Sequence, residues 1–296
     1  FSLSACSDDD EGSGNAGGGG VTNAGIQFPV TQTANEYGPA TTYYEYSNGR
    51  MTGGSYGSYG GNVVTWDHPF SFSYNPLVIT EEETEQGYSY LGTMNNIKLN
   101  GNGFMTYAEY SSRSSHGDSD VDRDNGSAIW EYDSEGHLIS ESGNGNDSYG
   151  PYSWNYTYTW ENGNLTKIEY SYDDGDGEAS HSVTTLTYEE SLWKNTGVYP
   201  SYIFGSLVGN DYLFYSGLLG RTTKLIPTSV TEVYGSYTET YTVTEVNYNP
   251  DGSIRRIVVD DRLGNETERY GYADYPIQQE QSGYSVTPSE KSSKAV

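Results

Sequence analysis

Alternation governs the pattern of hydrophobic and polar positions in this chain. Tyr152-Ser153-Trp154-Asn155-Tyr156-Thr157-Tyr158-Thr159-Trp160 sets five aromatic residues on one side of an extended backbone and four small polar residues on the other. That is the signature of a strand with one buried and one wet face. The same period of two runs through Ile168 to Tyr172, Tyr237 to Tyr248 and Glu266 to Tyr272, while helical spacing is nearly absent. One-sided burial and connections too short for crossover helices predict antiparallel pairing.

The connections repeat as well. Tyr132-Asp133-Ser134-Glu135-Gly136-His137-Leu138, Trp160-Glu161-Asn162-Gly163-Asn164-Leu165 and Tyr248-Asn249-Pro250-Asp251-Gly252-Ser253-Ile254 share one plan: an aromatic, a polar turn ending in glycine, one residue, then an aliphatic. Tyr46 to Met51 and Leu99 to Phe104 are looser copies. Asn-Gly and Asp-Gly suit the positive φ angles of tight hairpins. The spacing between these turns is irregular, which favours a meander of unequal hairpins over a solenoid or propeller.

One stretch departs from alternation. Tyr199 to Leu219 holds the densest supply of Ile, Leu, Val and Phe, interrupted by Gly205, Gly209 and Gly217. Asn210 is placed to cap a short helix from Asp211 to Ser216, which Gly217 would end. The segment is predicted to plug the interior of the sheet. The fold class is therefore all-β: an antiparallel meander forming a strongly curved sheet, barrel or half-barrel, with a short helical or loop plug.

Composition sharpens this picture. Of 296 residues 33% are apolar, 31 are tyrosine and 37 glycine, so much of the core must be built from rings that pack on one side and keep a hydroxyl for a partner. The row Trp154, Tyr156, Tyr158 is needed as core for that reason, although exposed aromatic rows also stack on sugars. A single cysteine, Cys6, allows no internal disulfide. With 41 acids against 14 bases the formal charge is −27, a field that repels nucleic acid and anionic surfaces and excludes nucleic acid as a partner.

The N-terminal residues speak to location. Leu3-Ser4-Ala5-Cys6 resembles the lipobox of bacterial lipoproteins, in which the cysteine after the cleavage point is acylated. Ser7-Asp8-Asp9-Asp10-Glu11, directly behind it, is similar to the signal that exports Bacteroidetes lipoproteins to the cell surface. The resemblance implies that residues 1–5 are the remnant of a signal peptide and that Cys6 anchors the protein in outer-membrane lipid. Residues 6–24, acidic and glycine-rich, then form a tether reaching roughly 20 to 25 Å. Residues 25–283 form a single all-β domain and 284–296 a disordered tail. No apolar run has the roughly 18 residues that a membrane helix needs.

Lipobox, acidic tether, Tyr-rich hairpins and the late Gly220-Arg221-Thr222-Thr223-Lys224-Leu225-Ile226-Pro227 together resemble a Bacteroidetes lipoprotein family of unknown function with a described porin-like fold. The turn motif also resembles the YD repeats of secreted toxin shells. The family implies a barrel or half-barrel and no activity. A membrane-spanning barrel would require an outward band of apolar residues, whereas the second face here is Ser, Thr, Asn and Glu.

Candidate chemistry is sparse. Gly53-Gly54-Ser55-Tyr56-Gly57 matches the esterase string G-x-S-x-G but lacks the strand-to-helix turn that a nucleophile elbow needs. His68, His116, His137 and His181 are dispersed, without zinc-ligand spacing. Asp118, Asp120, Asp122 and Asp124 alternate ahead of Gly126, and Asp173-Asp174-Gly175-Asp176-Gly177-Glu178 crowds four acids. Hard oxygen ligands on a loop suit Ca²⁺, so the first group is the candidate calcium site, although it lacks EF-hand spacing. No catalytic constellation stands out. The expectation is a surface-exposed, non-catalytic binding or envelope module with a glycan or protein ligand. The alternative is a glycan-acting hydrolase with paired carboxylates in a concave aromatic cleft.

Overall fold

The computed structural model describes residues 28–35, 41–60, 63–85, 88–116, 120–175, 179–189, 193–204, 211–260 and 265–277. Its strands are β1 Gln32–Asn35, β2 Thr41–Ser47, β3 Arg50–Gly60, β4 Val63–Tyr74, β5 Leu77–Glu85, β6 Tyr88–Leu99, β7 Met105–His116 and β8 Asp120–Tyr132. They continue as β9 Leu138–Asn146, β10 Pro151–Glu161, β11 Asn164–Asp173 and β12 Ala179–Thr187. After two short helices, α1 Ser201–Phe204 and α2 Asp211–Tyr215, come β13 Ser229–Tyr234, β14 Tyr237–Tyr248, β15 Ile254–Asp260 and β16 Asn265–Gly271. Each strand pairs antiparallel with its neighbours in the chain, and β1 also pairs with β16, Gln32 opposite Gly271. The sixteen strands thus close into an up-and-down barrel. The predicted antiparallel all-β architecture holds, and of the two forms expected it takes the closed one.

β10 shows how the sequence makes the wall. Ser153, Asn155, Thr157 and Thr159 are exposed on the outside, while Tyr152, Trp154, Tyr156, Tyr158 and Trp160 turn inward. The outer face here is one of hydroxyls and amides, unlike the apolar band of a membrane-spanning barrel. Among the described residues no helix is long and apolar enough to cross a membrane.

Beside the β4–β5 turn through the cis peptide Asn75–Pro76, five hairpins at one end fall into two kinds. Asn48-Gly49 and Asn162-Gly163 are two-residue turns in which both residues have positive φ, 51° and 73° in the first, 55° and 78° in the second. This is the type I′ geometry that matches strand twist. Asn100 to Phe104, Asp133 to His137 and Asn249 to Ser253 instead close with the first N–H donating to the fifth carbonyl at 2.8, 3.0 and 2.8 Å. A glycine of positive φ occupies the fourth place of each, Gly103, Gly136 and Gly252. The sequence plan that grouped Trp160–Leu165 with the Asp133 and Asn249 turns thus divides by turn length, and Leu99–Phe104 joins the longer class.

Each of these five hairpins carries a β-bulge beside its turn. A bulge advances one strand by one residue and reverses the in-out phase. The aliphatic that follows the turn and the residue three further on therefore both face inward: Met51 and Gly54, Met105 and Ala108, Leu138 and Glu141, Leu165 and Ile168, Ile254 and Ile257.

Aromatic donors tie these hairpins into a girdle. Tyr74 donates to the Met51 carbonyl at 2.7 Å, Tyr132 to Met105 at 2.8 Å and Trp160 to Leu138 at 2.7 Å. Tyr188 reaches Leu165 and Tyr272 reaches Ile254, both at 2.8 Å. Each aromatic lies at or just past a strand end and donates to the carbonyl of the aliphatic behind the preceding hairpin turn; Tyr74, Tyr132 and Trp160 open hairpins of their own, Tyr188 opens the β12–β13 connection and Tyr272 follows β16.

The connection between β12 and β13 crosses this end of the barrel. Tyr199, Ile203, Leu213, Phe214, Tyr215, Leu218 and Leu219 are buried in the main core. Tyr212 stacks on Phe70 at 4.6 Å and Tyr215 lies 5.0 Å from Tyr44. The backbone docks too: Met105 N–H donates to the Leu218 carbonyl at 2.8 Å and Arg221 N–H to Gly136 at 2.9 Å. The helix Asp211–Tyr215 and Gly217, with φ of 79°, lie where the sequence placed them; the proposed cap Asn210 lies outside the described residues. The described part of the predicted plug is therefore buried against the inner wall, residues 205–210 lying outside the description. β16 ends and β1 begins at this plugged end.

Candidate functional site

Above the plug the barrel keeps a cavity of about 370 Å³, walled by Tyr90, Tyr110, Tyr152, Trp154, Tyr156, Tyr170 and Tyr172, with Trp130, Glu141 and Tyr212 deeper in. The size lies within the usual range for small-ligand sites. Its upper residues, Tyr152 and Asp124, belong to the ends of β10 and β8 remote from the plug, so it faces that opposite end.

Small residues make room for these rings. A Cβ on Gly143 would fall within the Trp154 ring, and one on Gly145 or Gly126 would meet Tyr110. The rings lie across the glycine strands and stack on one another. Tyr152 packs with Trp154 at 5.9 Å and with Tyr172 at 6.0 Å, and Tyr156 with Tyr170 at 4.4 Å. Tyr158 belongs to the core as expected, whereas Trp154 and Tyr156 pack on the core with one side and line the cavity with the other. Gly126, Gly143 and Gly145 thus seat the rings of Tyr110, Tyr152 and Trp154 over missing side chains.

Glu141 is the chemical centre of the cavity. It stands opposite Trp130 on β8 and Tyr156 on β10, and only 4% of its surface is exposed. In the other four bulged hairpins the equivalent position holds Gly54, Ala108, Ile168 or Ile257, so a carboxyl here is not a requirement of the barrel wall. Burial pushes its pKa up from 4.5 to about 8, against the opposing pull of donors on Trp154, Tyr158 and Trp130. Tyr158 reaches it only at 3.4 Å. The buried Trp130 indole N–H faces Glu141 without closing a hydrogen bond to it or to another group. At neutral pH Glu141 is mainly a neutral acid, able to donate and to accept.

A second polar group sits at the mouth. Tyr152 donates to both oxygens of Asp124, at 2.7 and 2.8 Å, and shares a 2.8 Å hydrogen bond with Tyr110. Burial first, then these two partners, raise the Tyr152 hydroxyl well above the ordinary phenol range, and burial lifts Tyr110 to about 12. Both phenols remain protonated and orient their rings toward the cavity.

The strand positions that carry the cavity carboxylates are widely spaced along the wall. Glu141 is opposite Trp130, six residues along β8 from Asp124, which separates the two acids by about 20 Å of strand. Glu81, also on the wall, shares a row with Asp124 through Gly92 and Ser112. Three strand spacings, about 14 Å, divide their backbones. Glycosidase pairs work at about 5 to 9.5 Å.

The other predicted residues lie elsewhere. Cys6, Ser7, Asp8, Asp9, Asp10 and Glu11 fall outside the described residues, as does Asp118. Asp120 begins β8, with its side chain outside the description; Asp122 is exposed and accepts from Ser148 at 2.9 Å; Asp124 is the partner of Tyr152. Among the described residues no three His, Cys, Asp or Glu side chains gather as a metal site. Asp173 accepts the Gly175 N–H at 2.8 Å within a turn, and Asp176 and Glu178 are outside the description. His137 is part of a turn, 2.9 Å from Asp133 and stacked on Trp160 at 4.4 Å. Burial raises the Asp133 carboxyl, but the hydrogen bonds from His137 and the Glu135 backbone outweigh it and hold the carboxyl below its ordinary value. Gly53 to Gly57 lies within β3, so its serine has no elbow.

Glu141 itself escapes a reading from sequence, because period two counted from Leu138 places it outside with Ile139. The bulge at Leu138 turns it inward. The available signal was the triplet Glu141, Gly143, Gly145, an inner face without a single apolar residue.

No protein-family model matches this chain, and no curated protein matches it. Among solved structures it is similar to a porin-like protein from Bacteroides vulgatus ATCC 8482, with a TM-score of 0.54 and 13% identity over 83% of this chain and 98% of that one. A porin-like protein from Bacteroides uniformis ATCC 8492 gives a TM-score of 0.53 and 17% identity over 83% and 97%. At these identities the likeness is one of fold alone.

Proposed function

We propose that this protein is a cell-surface lipoprotein of the outer membrane whose barrel is a non-catalytic binding module, with a glycan segment as its ligand in the cavity around Glu141. The observation that carries the reading is the combination of a neutral buried acid, an unsatisfied Trp130 N–H and a wall of stacked rings in one cavity. Sugar rings present apolar faces for stacking and hydroxyls for an acid that both donates and accepts. The separation of the carboxylates favours binding over hydrolysis.

The lipobox-like Leu3-Ser4-Ala5-Cys6 and the following acids support anchoring through Cys6 and display through Ser7 to Glu11. The described chain starts at the plugged end, so a tether there would turn the cavity mouth away from the lipid. Two assays test the reading. Cys6→Ala should move the protein from the membrane to the soluble fraction. A polysaccharide screen should show retention without new reducing ends; release of reducing ends would replace the module by an enzyme.

A further inference from the structure

The wall around the cavity sorts its charges by face. Asp124 and Glu81 line the cavity in one row near its open end and Glu141 lies deeper, and among the described residues no Lys, Arg or His joins them on its wall. The bases of the same strands point the other way. Arg113 on β7 and Arg123 on β8 are cross-strand partners, each adjoining a cavity residue, Ser112 or Asp124, and both are exposed. Alternation turns neighbours to opposite faces of a sheet, so β7 and β8 send their arginines outward while β8 gives the cavity its acid.

The tyrosines at the open end register this field. Burial raises the Tyr90 hydroxyl, and Glu81, Tyr88 and Asp124 add to it against a hydrogen bond with Ser112. Burial also raises that of Tyr172, and Asp147, Asp174 and Asp124 add to it. The rings themselves contribute the same sign, because the face of an aromatic ring is negative. The cation–π contacts of Arg50 over Tyr74 and Lys98 over Tyr107 lie outside the cavity. Ring faces and carboxylates around one cavity, with no base among its described residues, suit a ligand that brings its own positive charge.

We infer that the ligand of this cavity is an amino sugar, its free ammonium group held at Asp124 among the tyrosine rings of the open end. The inference rests on the glycan reading and narrows it to one class of sugar. Asp124 has acceptor capacity left for the ammonium. The Tyr152 hydroxyl reaches both of its oxygens with a single proton, whereas an ionised carboxylate offers about four lone-pair sites. Asp124 is half-buried, so its attraction for an ammonium is screened less than that of an acid at the surface. The pyranose ring supplies the apolar face that stacks on Trp154 and its neighbours, which a lysine side chain lacks.

The test titrates the full chain calorimetrically, in mildly acidic buffer of low ionic strength, with a β-linked glucosamine trimer and with its N-acetylated counterpart. The two ligands share a backbone and differ in charge. The free-amine trimer should bind at least about tenfold more tightly. That advantage should shrink with added salt, and it should shrink in Asp124→Asn and in Glu81→Gln. Arg123→Gln, on the outer face, should bind as the parent does. Equal or weaker binding of the free-amine trimer overturns the inference, while binding of the N-acetylated trimer keeps the glycan reading. A lysine trimer that binds as tightly as the glucosamine trimer overturns the amino-sugar assignment in favour of a peptide. An advantage undiminished in both Asp124→Asn and Glu81→Gln, with the fold intact by circular dichroism, overturns the site. If neither trimer binds, the amino-sugar inference falls, and the polysaccharide screen decides the glycan reading separately.

Discussion

The indole N–H of Trp160 donates to the backbone carbonyl of Leu138 at 2.7 Å, joining the aromatic that opens one hairpin to the aliphatic of the preceding one. The same relation recurs from Tyr74 to Met51 and Tyr132 to Met105, and Tyr188, opening the β12–β13 connection, and Tyr272, after β16, donate in the same way to Leu165 and Ile254. Among the aromatics of the turn motif, Tyr132 and Trp160 thus tie successive hairpins together, while Tyr46 donates to the Val30 carbonyl and Tyr248 to that of Lys194, so all four fasten neighbouring segments at the plugged end.

This relation predicts the cost of removing a hydroxyl. Tyr132 donates to the carbonyls of Met105 and, at 3.2 Å, Leu218. Tyr132→Phe keeps the ring and leaves both acceptors wanting, so the variant should lose about 1 to 3 kcal/mol in urea unfolding. Loss of less than a few tenths would show that the girdle is incidental.

The plug should matter more than any one girdle bond. Phe214 is 3% exposed and lies 4.8 Å from the Tyr199 ring. Phe214→Ala should destabilise the barrel by about 3 to 5 kcal/mol. A loss below about 1 kcal/mol would mean that the segment is not core.

The glycines under the rings give a sharper test of the cavity. Gly143→Ala places a methyl where the Trp154 ring lies, and overpacking of this kind costs about 1 to 3 kcal/mol. Trp154 fluorescence should shift as the ring is displaced into the cavity. An unshifted spectrum with full stability would contradict the ring-over-glycine arrangement.

Much of this architecture is legible in the residues themselves. The alternation of Tyr152 to Trp160 gives β10 and its inner face, the Asn-Gly and Asp-Gly turns give the hairpins, and the apolar run from Tyr199 to Leu219 gives the plug. Closure is not legible, because the strand that completes the barrel is the four residues Gln32–Asn35, which carry no strong pattern. The centre of the cavity is hidden for a different reason. A bulge beside Leu138 changes the phase of β9, and a period-two count cannot see a single inserted residue.

Acidity should tune stability through Glu141. Its pKa rises from 4.5 to about 8 on folding, so between these values the folded state binds the extra proton and stability falls as pH rises. The contribution is full below pH 4.5, declines by at most about 1.4 kcal/mol per pH unit, and is exhausted above pH 8. Glu141→Gln, which stays neutral, should flatten this slope in urea titrations at pH 5, 6.5 and 8. Parallel pH profiles for the two proteins would show that Glu141 is ionised throughout.

The central claim is that the Glu141 cavity binds a glycan without cleaving it, and one measurement addresses it directly. Oligosaccharides from the best polysaccharide of the screen are titrated calorimetrically into the parent and into Trp154→Ala, with reducing ends assayed in the same samples. The account predicts a single saturable site in the parent, at least tenfold weaker in Trp154→Ala, and no new reducing ends. Equal affinity in the two proteins, or release of reducing ends by the parent, would contradict it.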